Sequence, residues 1–179
     1  MEIVCSHQNP TALRPALADA FAASAAMPEQ SGLRLELGGL FSGLDRYDQA
    51  IVEYTHWIDA HRQDVRRPIA MNGRCWARAM LNVDLDDALD DCNEAVRWAS
   101  GNPAFLDSRG LVRLRRGQFD RAIDDYDKAL EIMPELAWSL YGRSLAHRAE
   151  GEDAKAEADL AAAIAVDEGI VEEAGKFGL

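Results

Sequence analysis

Four stretches of the chain can be laid over one another on a shared alanine. They read Tyr47–Asp48–Gln49–Ala50–Ile51, Leu85–Asp86–Asp87–Ala88–Leu89, Phe119–Asp120–Arg121–Ala122–Ile123 and Asp153–Ala154–Lys155–Ala156–Glu157. The alanines stand 38, 34 and 34 residues apart. Four residues past each alanine come Tyr54, Cys92, Tyr126 and Leu160, and seven past it come Trp57, Ala95, Ala129 and Ala163. Self-similarity at such a period is the signature of an architecture made by stacking one supersecondary unit on copies of itself.

On these residues the chain resembles the tetratricopeptide repeat, a pair of antiparallel helices about 34 residues long. The stretch from Pro103 to Pro134 matches best: Arg109–Gly110 on the first helix, Gly117 at the turn, Phe119, Ala122, Tyr126 and Ala129 at packing positions, and Pro134 closing the unit. Small residues are needed where two helices cross closely, and aromatics fill the space between one pair and the next. Gly38, Gly110 and Ser144 supply the small residue, whereas the second repeat places the large Trp76 there and the fourth replaces the aromatic with Asp153. The resemblance implies an all-α, right-handed superhelical solenoid of about four helix pairs. It covers residues 31–168, divided as 31–64, 69–102, 103–136 and 137–168, after an N-terminal segment 1–30 with one amphipathic helix. The four extra residues between the first two repeats fall around Gln63–Pro68 and are expected as a longer loop or an added turn. Segment 169–179 carries Ile170, Ala174 and Phe177 at helical spacing and is expected to cap the open end of the stack.

The N-terminal run Ala16–Ala26 ends in small residues, as a degraded export signal would, but it lacks a basic start and is broken by Asp19. Leu13, Leu17 and Phe21 instead mark one face of a helix, with Asn9 or Thr11 as its cap. No apolar run approaches the roughly 20 residues of a membrane-spanning helix. Asp and Glu outnumber Lys and Arg by 31 to 19, giving a net charge of −12. Phosphates would be repelled, so neither nucleic acid nor an anionic lipid surface is expected as a partner.

No constellation for catalysis stands out. The chain lacks the zinc-protease helix motif, the nucleophile elbow and the phosphate-cradling loop, so no catalytic residue, metal ligand or cofactor is expected. His7, His56, His61 and His147 are scattered and read as surface residues. The acidic run Asp84–Asp91 superficially suggests a calcium loop, but Leu89 stands where the loop needs glycine and Ala95 where it needs glutamate. A solvated helix start, where the dipole favours acids, is the simpler reading. Cys75 and Cys92 fall at facing positions of one repeat and read either as two small buried hydrophobes or as a disulfide. Without a convincing export signal the cytoplasm is the expected compartment, and a periplasmic or secreted one follows if the two are bonded.

The resemblance further implies that protein partners dock on the inner surface, lined by the first helix of each pair. Formal charge follows helix type. First-helix segments sum to 0 (33–46), +4 (65–83), +3 (101–117) and +1 (134–149); second-helix segments sum to −3 (47–64), −5 (84–100), −3 (118–133) and −6 (150–168). A basic inner face is therefore expected, with Arg74, Asp107, Arg115, Trp138, Tyr141 and Arg148 on it and Arg78 beside them. Arginine forks suit carboxylates and the aromatic pair suits an apolar side chain, which points to a peptide of acidic or mixed character. Arg109 and Arg113 lie nearer the seam between helices, where their stems snorkel. At the positions where some family members clamp a terminal carboxylate stand Leu35, Gly39, Arg74, Ala104 and Ser108, of which Arg74 alone is basic, so that clamp is not expected. The expected function is a non-catalytic interaction module or scaffold; the alternative is the repeat portion or accessory subunit of a larger transferase or protease system. Oligomeric state is not read from the sequence.

Overall fold

A computed structural model describes residues 10–179, with side chains from residue 18 onward. Cys5, His7 and Asn9 lie outside the described residues, as do the side chains of Thr11, Leu13 and Leu17. Among the described residues there are ten α-helices: α1 Pro10–Ala26, α2 Arg34–Gly43, α3 Tyr47–Ala60, α4 Arg67–Leu81, α5 Leu85–Trp98, α6 Pro103–Arg115, α7 Phe119–Ile132, α8 Ala137–Ala149, α9 Asp153–Val166 and α10 Ile170–Gly175. Local chemistry fixes several of their ends. Asn102 caps α6 by accepting from the Ala104 amide at 3.0 Å, and Pro103 follows at the helix start, where a missing N–H costs nothing. The turns within each pair need one left-handed residue, supplied by Asp45, Gly117 and Gly151 in repeats one, three and four.

Helices α2/α3, α4/α5, α6/α7 and α8/α9 form four antiparallel pairs that stack into an all-α helical solenoid. The first helices α2, α4, α6 and α8 neighbour one another along its inner side. Helix α1 packs on α2, with the Phe21 ring 5.4 Å from that of Phe41. All four repeat alanines, Ala50, Ala88, Ala122 and Ala156, are fully buried where the helices of a pair cross.

Two tyrosines hold the first and third pairs to their neighbours. A Cβ on Gly38 would stand 2.7 Å from the Tyr54 ring, and one on Gly110 would stand 2.7 Å from Tyr126. Gly73 and Gly142, on the next first helix, meet the same two rings. Each tyrosine thus fills a slot that exists only because its neighbours lack a side chain. In the second pair Cys92 stands where the tyrosine would, and it is joined to Cys75 with the Cα atoms 5.7 Å apart.

That pair also corrects the expected register. Its excess is shared: six residues link α3 to α4 where four link α5 to α6, and α4 has 15 residues where α6 and α8 have 13. One of the two residues added to α4 lies beyond Cys75, so Cys75, not Trp76, occupies the position of Gly110 and Ser144. Trp76 is turned toward the inner side instead.

Candidate functional site

Each pair carries an acid three residues past its repeat alanine: Glu53, Asp91, Asp125 and Asp159. All four are buried, and each receives an arginine from a first helix. Arg74 grips Asp91 through two bonds of 2.7 and 2.8 Å, Arg109 grips Asp125 at 2.9 and 2.7 Å, and Arg143 grips Asp159 at 2.7 Å twice. Arg78 adds a hydrogen bond to Asp91 at 2.8 Å, and Arg113 an ion pair with Asp125 at 2.7 Å. In the first pair Arg34 reaches Glu53 and also donates to the carbonyls of Met27 and Pro28, which ties down the link from α1. Forked pairing of this kind is the geometry a guanidinium and a carboxylate prefer. The sign of charge therefore follows helix type in part because Arg74, Arg109 and Arg143 each have their acid on the second helix of the same repeat.

The inner side itself is mostly apolar. Trp76, Leu111, Leu114, Trp138, Tyr141 and Leu145 line one narrow cavity together with Leu179, and the void left among them is about 10 Å³, no roomier than a single water molecule. The Trp76 and Trp138 rings meet edge to face at 5.4 Å. Phe177 reaches Tyr47, at the start of α3, with ring centroids 5.2 Å apart and nearly perpendicular. Burial and the neighbouring Asp45 push the Tyr47 hydroxyl up to about 12. Arg115, the last residue of α6, joins this segment to the wall. It donates to the carbonyls of Ala79 at 3.2 Å and Met80 at 3.5 Å near the end of α4, and to those of Phe177 at 2.5 Å and Gly178 at 3.0 Å. Burial lowers its pKa from the ordinary guanidinium range.

Asp107 lies beneath the same surface, accepting from the Ser139 hydroxyl at 2.5 Å. Burial pushes its carboxyl up to about 7, against the pull of that hydrogen bond.

Of the seven residues expected to bind a partner, four surround the groove's contents: Asp107, Arg115, Trp138 and Tyr141. Arg74 and Arg78 face the seam, where Asp91 already takes their donors, so they do not offer a fork to an incoming carboxylate. Arg115 is spent on main-chain carbonyls. Arg148, one helical turn past Leu145 on the face of Tyr141, is the one of the seven that is exposed. Arg109 and Arg113 do not merely snorkel; they neutralise a buried aspartate. Nor is His147 a surface residue, since it is 7% exposed and its Nδ1 lies 2.6 Å from a Glu152 oxygen. The expected capping helix stops at Gly175, so Phe177 belongs to the segment that enters the groove. Trp76, Leu111, Leu114, Leu145 and Tyr47 were missed. The large Trp76 at an apparent small-residue position was the available signal: a side chain that cannot fit a helix crossing has to face elsewhere.

A guanidinium, two indoles and aliphatic side chains thus lie together on the inner side, beside residues 177–179. The family model of the tetratricopeptide repeat matches residues 103–136. Sperm-associated antigen 1 of Mus musculus is 29% identical over 89 residues, which are 50% of this chain and 9% of that protein, so the chain spans a small fraction of the curated relative. Among solved structures, MamA aligns at a TM-score of 0.64 with 18% identity, covering 93% of this chain and 99% of its own. The tetratricopeptide-repeat protein TTC0263 of Thermus thermophilus aligns at 0.66 with 22% identity, covering 79% and 75%. The first repeat domain of RPAP3, in complex with the HSP90 peptide SRMEEVD, is 25% identical with a TM-score of 0.58, covering 66% and 91%. Residues 103–136 thus match the tetratricopeptide repeat by its family model, and the stacked helix pairs around them are similar in fold to these repeat proteins.

Proposed function

We propose that the chain is a non-catalytic protein-interaction module whose inner face, built by α2, α4, α6 and α8, takes up a segment of a partner polypeptide. One observation carries the reading: that face already holds a short peptide segment, residues 177–179, through main-chain carbonyls on Arg115 and an apolar cavity that Leu179 helps to line. The RPAP3 domain with its bound HSP90 peptide supports the same mode of use. The chemistry of the partner differs from that peptide, however. Arg74 is engaged by Asp91, and Leu35, Gly39, Ala104 and Ser108 at the other clamp positions carry no positive charge. An acidic peptide finds Arg148 as the exposed cation among the seven expected residues, whereas an apolar side chain finds Trp76, Trp138 and Leu145.

A photoreactive phenylalanine at position 148 is expected to cross-link a partner in native extract several-fold more than one at position 128, on the outer helix α7. Equal labelling, or labelling from position 128 alone, would remove the inner face from the reading.

A further inference from the structure

Resting on that reading, the segment in the groove also specifies what the groove recognises. Residues 174–179 end α10 in a defined way: the Leu179 amide donates to the Ala174 carbonyl at 3.2 Å and the Gly178 amide to the Gly175 carbonyl at 3.2 Å. Gly178 sits in the left-handed region at φ +67°. This is a Schellman cap, with glycine in the position that only a residue lacking Cβ takes without strain and an aliphatic residue after it folding back on the helix. Leu179 and Ala174 accordingly belong to one apolar cluster. A cap of this kind leaves carbonyls at the helix end in need of donors.

Arg115 meets that need. Its guanidinium stands between two helix ends, bonded to Ala79 and Met80 of α4 on one side and to Phe177 and Gly178 on the other. Negative partial charge from both helix ends converges on one cation. The two flanking side chains are read separately, Phe177 against the Tyr47 ring and Leu179 beside Trp76, Trp138, Tyr141 and Leu145, with which it lines one narrow cavity. Backbone, aromatic and aliphatic features of one helix end thus each have a dedicated receiver, contributed by α3, α4, α6 and α8.

We propose that the groove is a receptor for the C-terminal end of a short amphipathic helix carrying the sequence aromatic–glycine–leucine, and that residues 176–179 are a built-in competitor that such a partner helix must displace. Helix-in-groove docking is a recurrent way for apolar anchors at helical spacing to be read. Here the helix end, rather than its flank, carries the recognition. An intramolecular occupant lowers apparent affinity by the fraction of molecules in which the groove is empty.

The test uses the full-length chain and a labelled, C-terminally amidated peptide of the sequence Glu-Gly-Ile-Val-Glu-Glu-Ala-Gly-Lys-Phe-Gly-Leu, matching residues 168–179. Fluorescence anisotropy should show the full-length Phe177→Ala/Leu179→Ala protein binding this peptide about 10-fold or more tightly than wild type. Adding Arg115→Ala should abolish the gain, and a peptide with valine in place of the residue matching Gly178 should bind at least several-fold more weakly. Equal affinity of wild type and double variant would overturn the built-in competitor. No binding by a double variant with wild-type helical circular dichroism would overturn the helix-end specificity. In that case continued cross-linking from position 148 would leave the broader interaction reading standing, so the two failures are separable.

A wild-type measurement covers the event that the double variant fails to fold. Excess peptide should shift the Gly178 amide signal of labelled wild-type protein toward its position in an unstructured chain, and an unmoved signal at saturating peptide contradicts displacement. A wild-type dimer that becomes monomeric in the double variant would assign the groove to a second copy of the chain and overturn the intramolecular arrangement.

Discussion

Asp107 sits under the groove, its carboxyl pushed up to about 7 by burial while its ordinary value is 3.8. Between those values the folded chain holds a proton that the unfolded chain has released. This group's contribution is therefore fully present below about pH 4, is lost as pH rises through about 7, and changes no further above that. Asp107→Asn keeps an acceptor for Ser139 without a titrating charge, so urea midpoints of the variant should fall less than those of wild type between about pH 4 and pH 8. A wild-type profile no steeper than that of the variant would refute the assignment. At this scale the sequence was legible where a residue type has one use. Ala50, Ala88, Ala122 and Ala156 were read correctly because little else fits a helix crossing. Arg74 was not, because an arginine on an inner helix serves a partner's carboxylate or the chain's own equally well until Asp91 is seen 2.7 Å away. The acid recurring three residues past every alanine was the overlooked clue.

Between elements, the forked ion pairs join first to second helices, and buried pairs of this kind add little net stability while costing much when half is removed. Asp125 is fully buried and serves both Arg109 and Arg113. Asp125→Ala strands two cations and is expected to cost about 3–5 kcal/mol in urea unfolding. Arg109→Ala should cost less, since Arg113 still neutralises the aspartate; a larger loss from Arg109→Ala would contradict this division. The second pair replaces the glycine–tyrosine contact with the Cys75–Cys92 link. Thiol counting on the unfolded protein without reductant is expected to find one reactive cysteine, Cys5, of the three. Three reactive thiols would return Cys75 and Cys92 to the role of buried hydrophobes. Tethering across 17 residues contributes on the order of 3 kcal/mol in the chain-entropy account, so reduction should lower the urea midpoint clearly. The misplacement of Trp76 also belongs here. One residue added to the end of α4 rotates that helix's register relative to its repeat, and counting from the second helix cannot reveal it.

For the molecule as a whole, the net charge of −12 describes an acidic outer layer over internally neutralised seams, and the groove between is apolar. The basic inner face expected from segment charges dissolves once Arg74, Arg78 and Arg115 are matched to their acceptors. Period, helix pairing and the close crossings were settled by sequence alone, because each repeat packs through contacts between residues about 16 positions apart, such as Arg109 with Asp125 and Arg143 with Asp159. Local pattern encodes local packing. What occupies the groove was settled only by the tertiary structure. Arg115 meets Phe177 across 62 residues of chain, and Phe177 meets Tyr47 across most of the molecule. The curvature of four stacked pairs creates those encounters, and curvature is a property of the stack that no single repeat contains.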